Sequence, residues 1–155
     1  MSAAQDLNQP VFRPLREADI LAVLEIEHAA FTHPWTAGIF RDCLRMNYSC
    51  WALVTDRGLG GYGIMSLAAG ECHILNLCIS PKLQRQGLGR GLLEHLLGLA
   101  REYGANLVLL EVRASNHGAI RLYESSGFCE VGVRKNYYPT AQGREDALIF
   151  ALDLV

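Results

Sequence analysis

No block of lysine and arginine runs through this sequence, and a formal charge of -2 with a pI near 6.2 supplies no broad electrostatic footprint for nucleic acid. No apolar run approaches the length needed to cross a bilayer, and the opening MSAAQDLNQP has no basic stretch leading into an apolar core. The expectation is a cytoplasmic protein with no membrane partner and no direct contact with nucleic acid. The five cysteines, Cys43, Cys50, Cys72, Cys78 and Cys129, are odd in number and lack C-x-x-C spacing, which argues against a disulfide framework or a zinc site. The histidines include no H-E-x-x-H pair, and Cys72 and His73, as strand neighbours, point to opposite faces. No metal is expected.

What is present is one half-apolar chain of 155 residues, enough for a single core. Val11 to Arg16 reads as a strand. Asp19 then caps a helix with Ile20, Val23, Leu24 and Ile26 inward, and Phe31 to Thr36, with Pro34, interrupts it before a second helix that ends near Asn47. Ser49–Asp56, Gly60–Ala69 and Glu71–Ser80 read as a meander of strands joined by short glycine-rich turns. From Gly87 the period becomes helical, with Leu88, Leu92, Leu96, Leu99 and Tyr103 as a stripe and Gly104 as the stop. Asn106–Ala114 is a strand apolar on both faces, Asn116 to about Ser125 a helix ended by Gly127, and Gly127–Tyr138 and Asp146–Leu154 are closing strands. The first nine residues are expected to be flexible.

The stretch QRQGLGRGLL, Gln84 to Leu93, places glycines where a strand gives way to the longest helix. A helix N-terminus offers unsatisfied N–H groups and partial positive charge, which favour phosphate. Gly87 and Gly89 leave room for phosphate oxygens to approach the backbone, and Arg85 and Arg90 add charge. The stretch is neither a Walker A loop nor G-x-G-x-x-G, since Leu92 takes the last glycine's place. A glycine-rich start that merely permits tight packing is the competing reading.

Q-x-x-G-x-G at Gln84 to Gly89, followed by LEVRASN and AIRLYESSGF between Leu110 and Phe128, resembles the GNAT family of N-acetyltransferases. The part from Ser80 to Asp153, with NYYPTAQGREDALIFAL, is similar to one bacterial branch whose members acetylate the N-terminal alanine of the eighteenth small-subunit ribosomal protein, and Phe31-x-x-Pro34-Trp35 fits that branch too. The resemblance implies one α/β domain over residues 1–155. Its mixed, mostly antiparallel sheet would have six to seven strands flanked by about four helices, with a splayed parallel pair holding acetyl-CoA. The pyrophosphate would lie on Arg85, Gln86, Gly87, Leu88, Gly89 and Arg90, the pantetheine arm along Leu77, Cys78 and Ile79, and Asn116 would touch the cofactor.

Acetyl transfer from a thioester to an amine needs a neutral amine, a polarised carbonyl and a proton for the leaving thiolate. Glu111, on the strand face of Leu107 and Leu109, is a carboxylate among apolar side chains and suits a general base acting through water. The resemblance puts the family's catalytic glutamate there; the alternative is a strand-end carboxylate paired with Arg113 or another arginine. Tyr123 shares a helix face with Asn116 and, by the resemblance, protonates the thiolate; without it a core tyrosine would be the better reading. A backbone N–H of Asn76 to Ile79 can polarise the carbonyl, and Cys78 reads as a small buried hydrophobe.

A neutral α-amine costs roughly 3 kcal/mol less than a neutral lysine at pH 7, which favours an N-terminal acceptor. The resemblance implies a protein partner with a free N-terminal alanine, ribosomal, bound between Trp35 and the Tyr137-Tyr138-Pro139 hairpin. Glu27 would face its positive charge, unless it is solvated or paired with arginine, and His33 reads as an exposed loop residue. Lysine or small-amine transfer, and a non-catalytic acyl-CoA sensor, remain alternatives. A monomer or weak oligomer is expected.

Overall fold

Strand β1 (Val11–Pro14) is followed by helices α1 (Ile20–Ala30) and α2 (Ala37–Arg45), then by strands β2 (Ser49–Thr55), β3 (Gly58–Ala68) and β4 (Glu71–Ile79). Helix α3 (Leu88–Glu102), strand β5 (Leu107–Arg113), helix α4 (His117–Ser125) and the strands β6 (Cys129–Thr140) and β7 (Gly143–Asp153) complete the chain. The computed structural model describes residues 9–155, so the expectation for the N-terminus lies, but for Gln9, outside the described residues. The seven strands form one mixed sheet in the order β1-β2-β3-β4-β5-β7-β6. Chain contacts divide it into two compact units, one reaching Ile64 and including Asn76–His95, the other made of Met65–Leu75 and Leu96–Val155.

In the first unit β1 pairs antiparallel with β2 from Val11↔Val54 to Pro14↔Trp51. Helix α1 buries Ile20, Val23, Ile26 and Glu27, and it stops where Phe31 turns extended, three residues before Pro34. Thr36 starts the next helix by accepting the Ile39 N–H at 3.3 Å. Leu53, Ile79 and Leu92 form a buried cluster joined by Phe12, Leu77, Leu83 and Leu88. Each such leucine, fully buried, contributes roughly 1.5–3 kcal/mol.

In the second unit β4 runs parallel to β5 from Glu71↔Leu107 to Ile74↔Leu110. Strand β7 is antiparallel to the whole length of β5, from Leu107↔Asp153 to Arg113↔Ala147, and to β6 on its other side. Helix α3 ends in two backbone bonds, Gly104 N–H to Arg101 O and Ala105 N–H to Ala100 O, a closure for which the φ of +80° at Gly104 is needed. Val108, Leu110, Val112 and Phe150 form the buried side of β5 and β7.

Three local expectations change. Asp19 stands at the start of α1 but does not cap it with its side chain; its carboxylate takes Arg13 at 2.8 Å through both oxygens and the Arg16 N–H at 2.9 Å. Tyr103 is 70% exposed, because the buried stripe of α3 runs through Leu92, Leu93, Leu96, Leu97 and Ala100. Strand β6 reaches Thr140 and β7 begins at Gly143, so the closing hairpin is longer than the apolar pattern indicated.

The hydrogen bond from Arg13, more than the opposing burial, holds the Asp19 carboxyl below its ordinary value, with the Arg16 N–H adding to it. A lowered carboxyl value gives stability that is present above the ordinary aspartate range and is lost as pH falls through the lowered value. Stability to urea is therefore expected to fall below about pH 4, and to fall less in Asp19→Asn than in the wild type.

Candidate active site

Strand β4 leads into the glycine loop through a short 3-10 turn, Pro81–Leu83. The loop is tied at both ends. Ser80 N–H reaches Gly60 O at 2.8 Å and the Gln84 amide reaches Ile79 O at 3.1 Å, while Leu83 and Leu88 anchor in the buried cluster. Between these anchors Arg85 has φ +66° and Gly87 φ +79°. For a side-chain-bearing residue such as Arg85 that conformation costs on the order of 1 kcal/mol. A Cβ added at Gly87 would meet no heavy atom of the described residues within 4 Å. The backbone favours glycine there, and no described residue fills the space, which is what an approaching phosphate needs. Arg85, Gln86, Gly87 and Arg90 are exposed, and Leu88 and Gly89 half-buried.

Upstream on β4 the side chains of Cys78 and Ile79 are buried, and Leu77 packs on the same cluster. Burial pushes the Cys78 thiol up to about 12, so it is no nucleophile at neutral pH. Only backbone groups of these residues can serve a ligand. Gly61 explains why β4 lies so close to β3: a Cβ there would stand 2.7 Å from both Cys78 O and Ile79 Cδ1.

Glu27 is neither solvated nor paired with arginine. Its side chain is 2% exposed, with Oε1 accepting from the Tyr62 hydroxyl at 2.5 Å and the Asn76 amide at 3.0 Å, and Oε2 accepting from Trp35 N–H at 2.9 Å. Burial, with the charges of Cys78 and Glu27 behind it, holds the Tyr62 phenol far above its ordinary value, so it stays a donor. Trp35 packs on Phe40 at 5.2 Å and Phe40 on Tyr62 at 5.6 Å, which closes the ring around the carboxylate. His33 is exposed beside Thr32.

In the second unit, Leu107, Leu109, Glu111 and Arg113 share the half-buried face of β5. Glu111 is the residue directly after the ladder to β4. Its Oε1 lies 3.4 Å from Arg134 Nε and 3.7 Å from His73 Nε2. Arg113 turns elsewhere, to Glu145 at 3.0 Å, to Pro139 O at 2.8 Å and over the Tyr138 ring at 4.5 Å.

Antiparallel partners share a face, so Glu111 lies with Ile149, and Leu110 with Phe150 on the other side. The Tyr123 ring, 6% exposed, is 6.5 Å from Phe150 and 5.6 Å from Phe128. Glu111 and Tyr123 therefore approach β5 from opposite faces. Asn116 caps α4, its Oδ1 accepting Ala119 N–H at 3.2 Å.

Tyr137 and Tyr138 sit at a bulge of β6, where Lys135, Asn136 and Tyr137 stand opposite Asp146 alone. Asn136 takes φ +53°, its N–H meets Asp146 at 2.9 Å, and Arg144 holds the carbonyls of Asn136 at 2.7 Å and Tyr137 at 2.9 Å. Tyr137 is 44% exposed.

The side-chain contacts of Tyr62 and Asn76 to Glu27, and of Arg134 and His73 to Glu111, were not foreseen from the sequence. Asn76 breaks the apolar run ILNLCI and could have been noticed; Tyr62 reads as any core tyrosine. Among the described residues no group of three or more His, Cys, Asp or Glu is placed to hold a metal ion. A hollow of about 630 Å³ lined by Leu15, Arg16, Glu17, Arg41, Leu44 and Arg45 contains none of these residues.

The model of the acetyltransferase (GNAT) family matches residues 20–128. The chain is 41% identical over 140 residues, 90% of its length and 95% of the relative's, to the [ribosomal protein bS18]-alanine N-acetyltransferase of Escherichia coli strain K12. It is 42% identical, over the same shares, to that of Salmonella typhimurium strain LT2. The crystal structure of the ribosomal-protein-S18-alanine N-acetyltransferase from Escherichia coli superposes with a TM-score of 0.89 at 40% identity, covering 94% of each chain.

Glu27→Ala leaves three donors without an acceptor and is expected to destabilise the protein by on the order of 3 kcal/mol or more. Glu27→Gln should cost less, since its amide oxygen still accepts from Tyr62 and Asn76. Urea titration of the two variants at pH 7 measures the difference.

Proposed function

Because the chain belongs to the GNAT acetyltransferase family, we propose that it transfers the acetyl group of acetyl-CoA directly to the N-terminal α-amine of a protein, the alanine of ribosomal protein bS18. The observation that carries this reading is the 41% identity, over 90% of the chain, to relatives with that named activity. We read residues 1–155 as a single acetyltransferase domain. Acetyl-CoA is the cosubstrate of the family.

Backbone N–H groups of Arg85 to Arg90 hold the pyrophosphate, helped by the Arg85 and Arg90 charges, and the open space before Gly87 supports this. Backbone groups of Leu77, Cys78 and Ile79 hold the pantetheine arm and polarise the thioester carbonyl, and Asn116 contacts the cofactor. Trp35 in the first unit, and Tyr137 and Tyr138 in the second, are the residues read as serving the acceptor. Glu27 serves the acceptor at one remove, by fixing Trp35.

Glu111 draws a proton from the α-ammonium through water, the neutral nitrogen attacks the thioester carbon, and the C–S bond breaks as Tyr123 protonates the sulfur. Base and acid come from opposite faces of β5, at the end of its ladder to β4, which suits groups that must reach one carbonyl from two sides. Among the described residues no helix is long and apolar enough to cross a membrane. We read a cytoplasmic protein, monomeric or weakly associated, that acts on protein and not on nucleic acid.

Release of coenzyme A thiol tests the reading, with an alanine-starting, arginine-containing hexapeptide set against the same peptide blocked at its N-terminus and carrying an internal lysine. Release is expected only with the free terminus; release with the blocked peptide would move the assignment to lysine. Glu111→Gln and Tyr123→Phe should each lower kcat/KM by about 100-fold or more, with far-UV circular dichroism and acetyl-CoA affinity unchanged. Full turnover in both would leave the mechanism without support.

A further inference from the structure

Acetylation of an α-ammonium by a thioester leaves one proton over. The nitrogen loses two protons and the sulfur gains one, which Tyr123 supplies and recovers from the nitrogen as the amide forms. The remaining proton, drawn first, sits on Glu111 and has to reach solvent before the next turnover.

Glu111 has little direct access to bulk solvent, its side chain being 15% exposed. The groups that face it are Arg134 and Tyr138 from β6 and His73 from β4. Arg134 Nε, at 3.4 Å, belongs to a guanidinium that does not give up or take protons near neutrality. Burial first, and the Glu111 charge after it, push the Tyr138 phenol up to about 12, so it holds its own proton. His73 differs in kind. Imidazole exchanges protons in the neutral range, its Nε2 is 3.7 Å from Glu111 Oε1, and its side chain is 40% exposed. The strand register accounts for the placement: His73 pairs with Leu109, which shares its face with Glu111. The separation exceeds a direct hydrogen bond, and one bridging water or a small turn of the exposed ring spans it.

We propose that His73 is the proton exit of this site, taking at Nε2 the proton that Glu111 has drawn from the acceptor and passing it from its exposed edge to bulk solvent. The inference rests on Glu111 being the base. His73 touches neither acceptor nor thioester and acts through Glu111.

A proton exit is needed for the second turnover and not for the first, which a purely structural role would not reproduce. The test is rapid-mix release of coenzyme A thiol from acetyl-CoA and the alanine-starting hexapeptide, at pH 7 and constant ionic strength, for wild type, His73→Gln, His73→Asn and Glu111→Gln. The histidine variants should release one equivalent at the wild-type rate and then turn over about tenfold more slowly, with imidazole restoring the steady rate in proportion to its concentration. Wild-type steady turnover in both variants, or slowing without a burst and without imidazole rescue, overturns the proposal. Full activity of Glu111→Gln would instead remove the base assignment on which it stands.

Discussion

Two neighbouring parallel strands cannot be joined by a turn, because the chain must leave the end of one and return to the start of the other. Between β4 and β5 the return is α3, so the glycine loop has to lie at the C-terminal end of β4 and to open a helix there. A helix N-terminus with the character to receive an anion follows from this topology. The same ladder, ending at Ile74↔Leu110, leaves Glu111 as the next residue of β5, so the parallel pair places the proposed base as well.

A second constraint is the carboxylate of Glu27. A buried charge without acceptable partners is expensive, and here the partners come from the loop before α2, from β3 and from β4. Three segments are thereby held to one pair of oxygen atoms. The Trp35 loop, which a proline would otherwise leave merely extended, acquires a fixed backbone position.

The element order, with the glycine loop at the start of a helix, was legible because it depends on local signals. Gly104 and Gly127 end helices, Pro34 separates α1 from α2, and the change of period after Gly87 marks α3. What stayed hidden depends on partners far away in the chain. Tyr62 and Asn76 reach Glu27 across 35 and 49 positions, and Arg134 reaches Glu111 from two strands over. Arg113, the nearer candidate, is taken by Glu145, which a local reading of LEVRASN could not foresee. Tyr103 kept the helical spacing of its stripe yet lies outside the core, because it falls at the closing turn of α3, where the chain has already begun to leave.

The bulge that carries Tyr137 and Tyr138 is shaped from the adjacent strand. Arg144 grips two of its carbonyls and Asp146 one of its N–H groups, so the backbone under the two rings is set by β7. Substitutions at positions 144 or 146 would therefore shift both rings while leaving the aromatic residues unchanged. On the reading that the two rings serve the acceptor, proteins of this architecture have a route to diverge in the amine they prefer that a comparison of the aromatic residues themselves would not reveal.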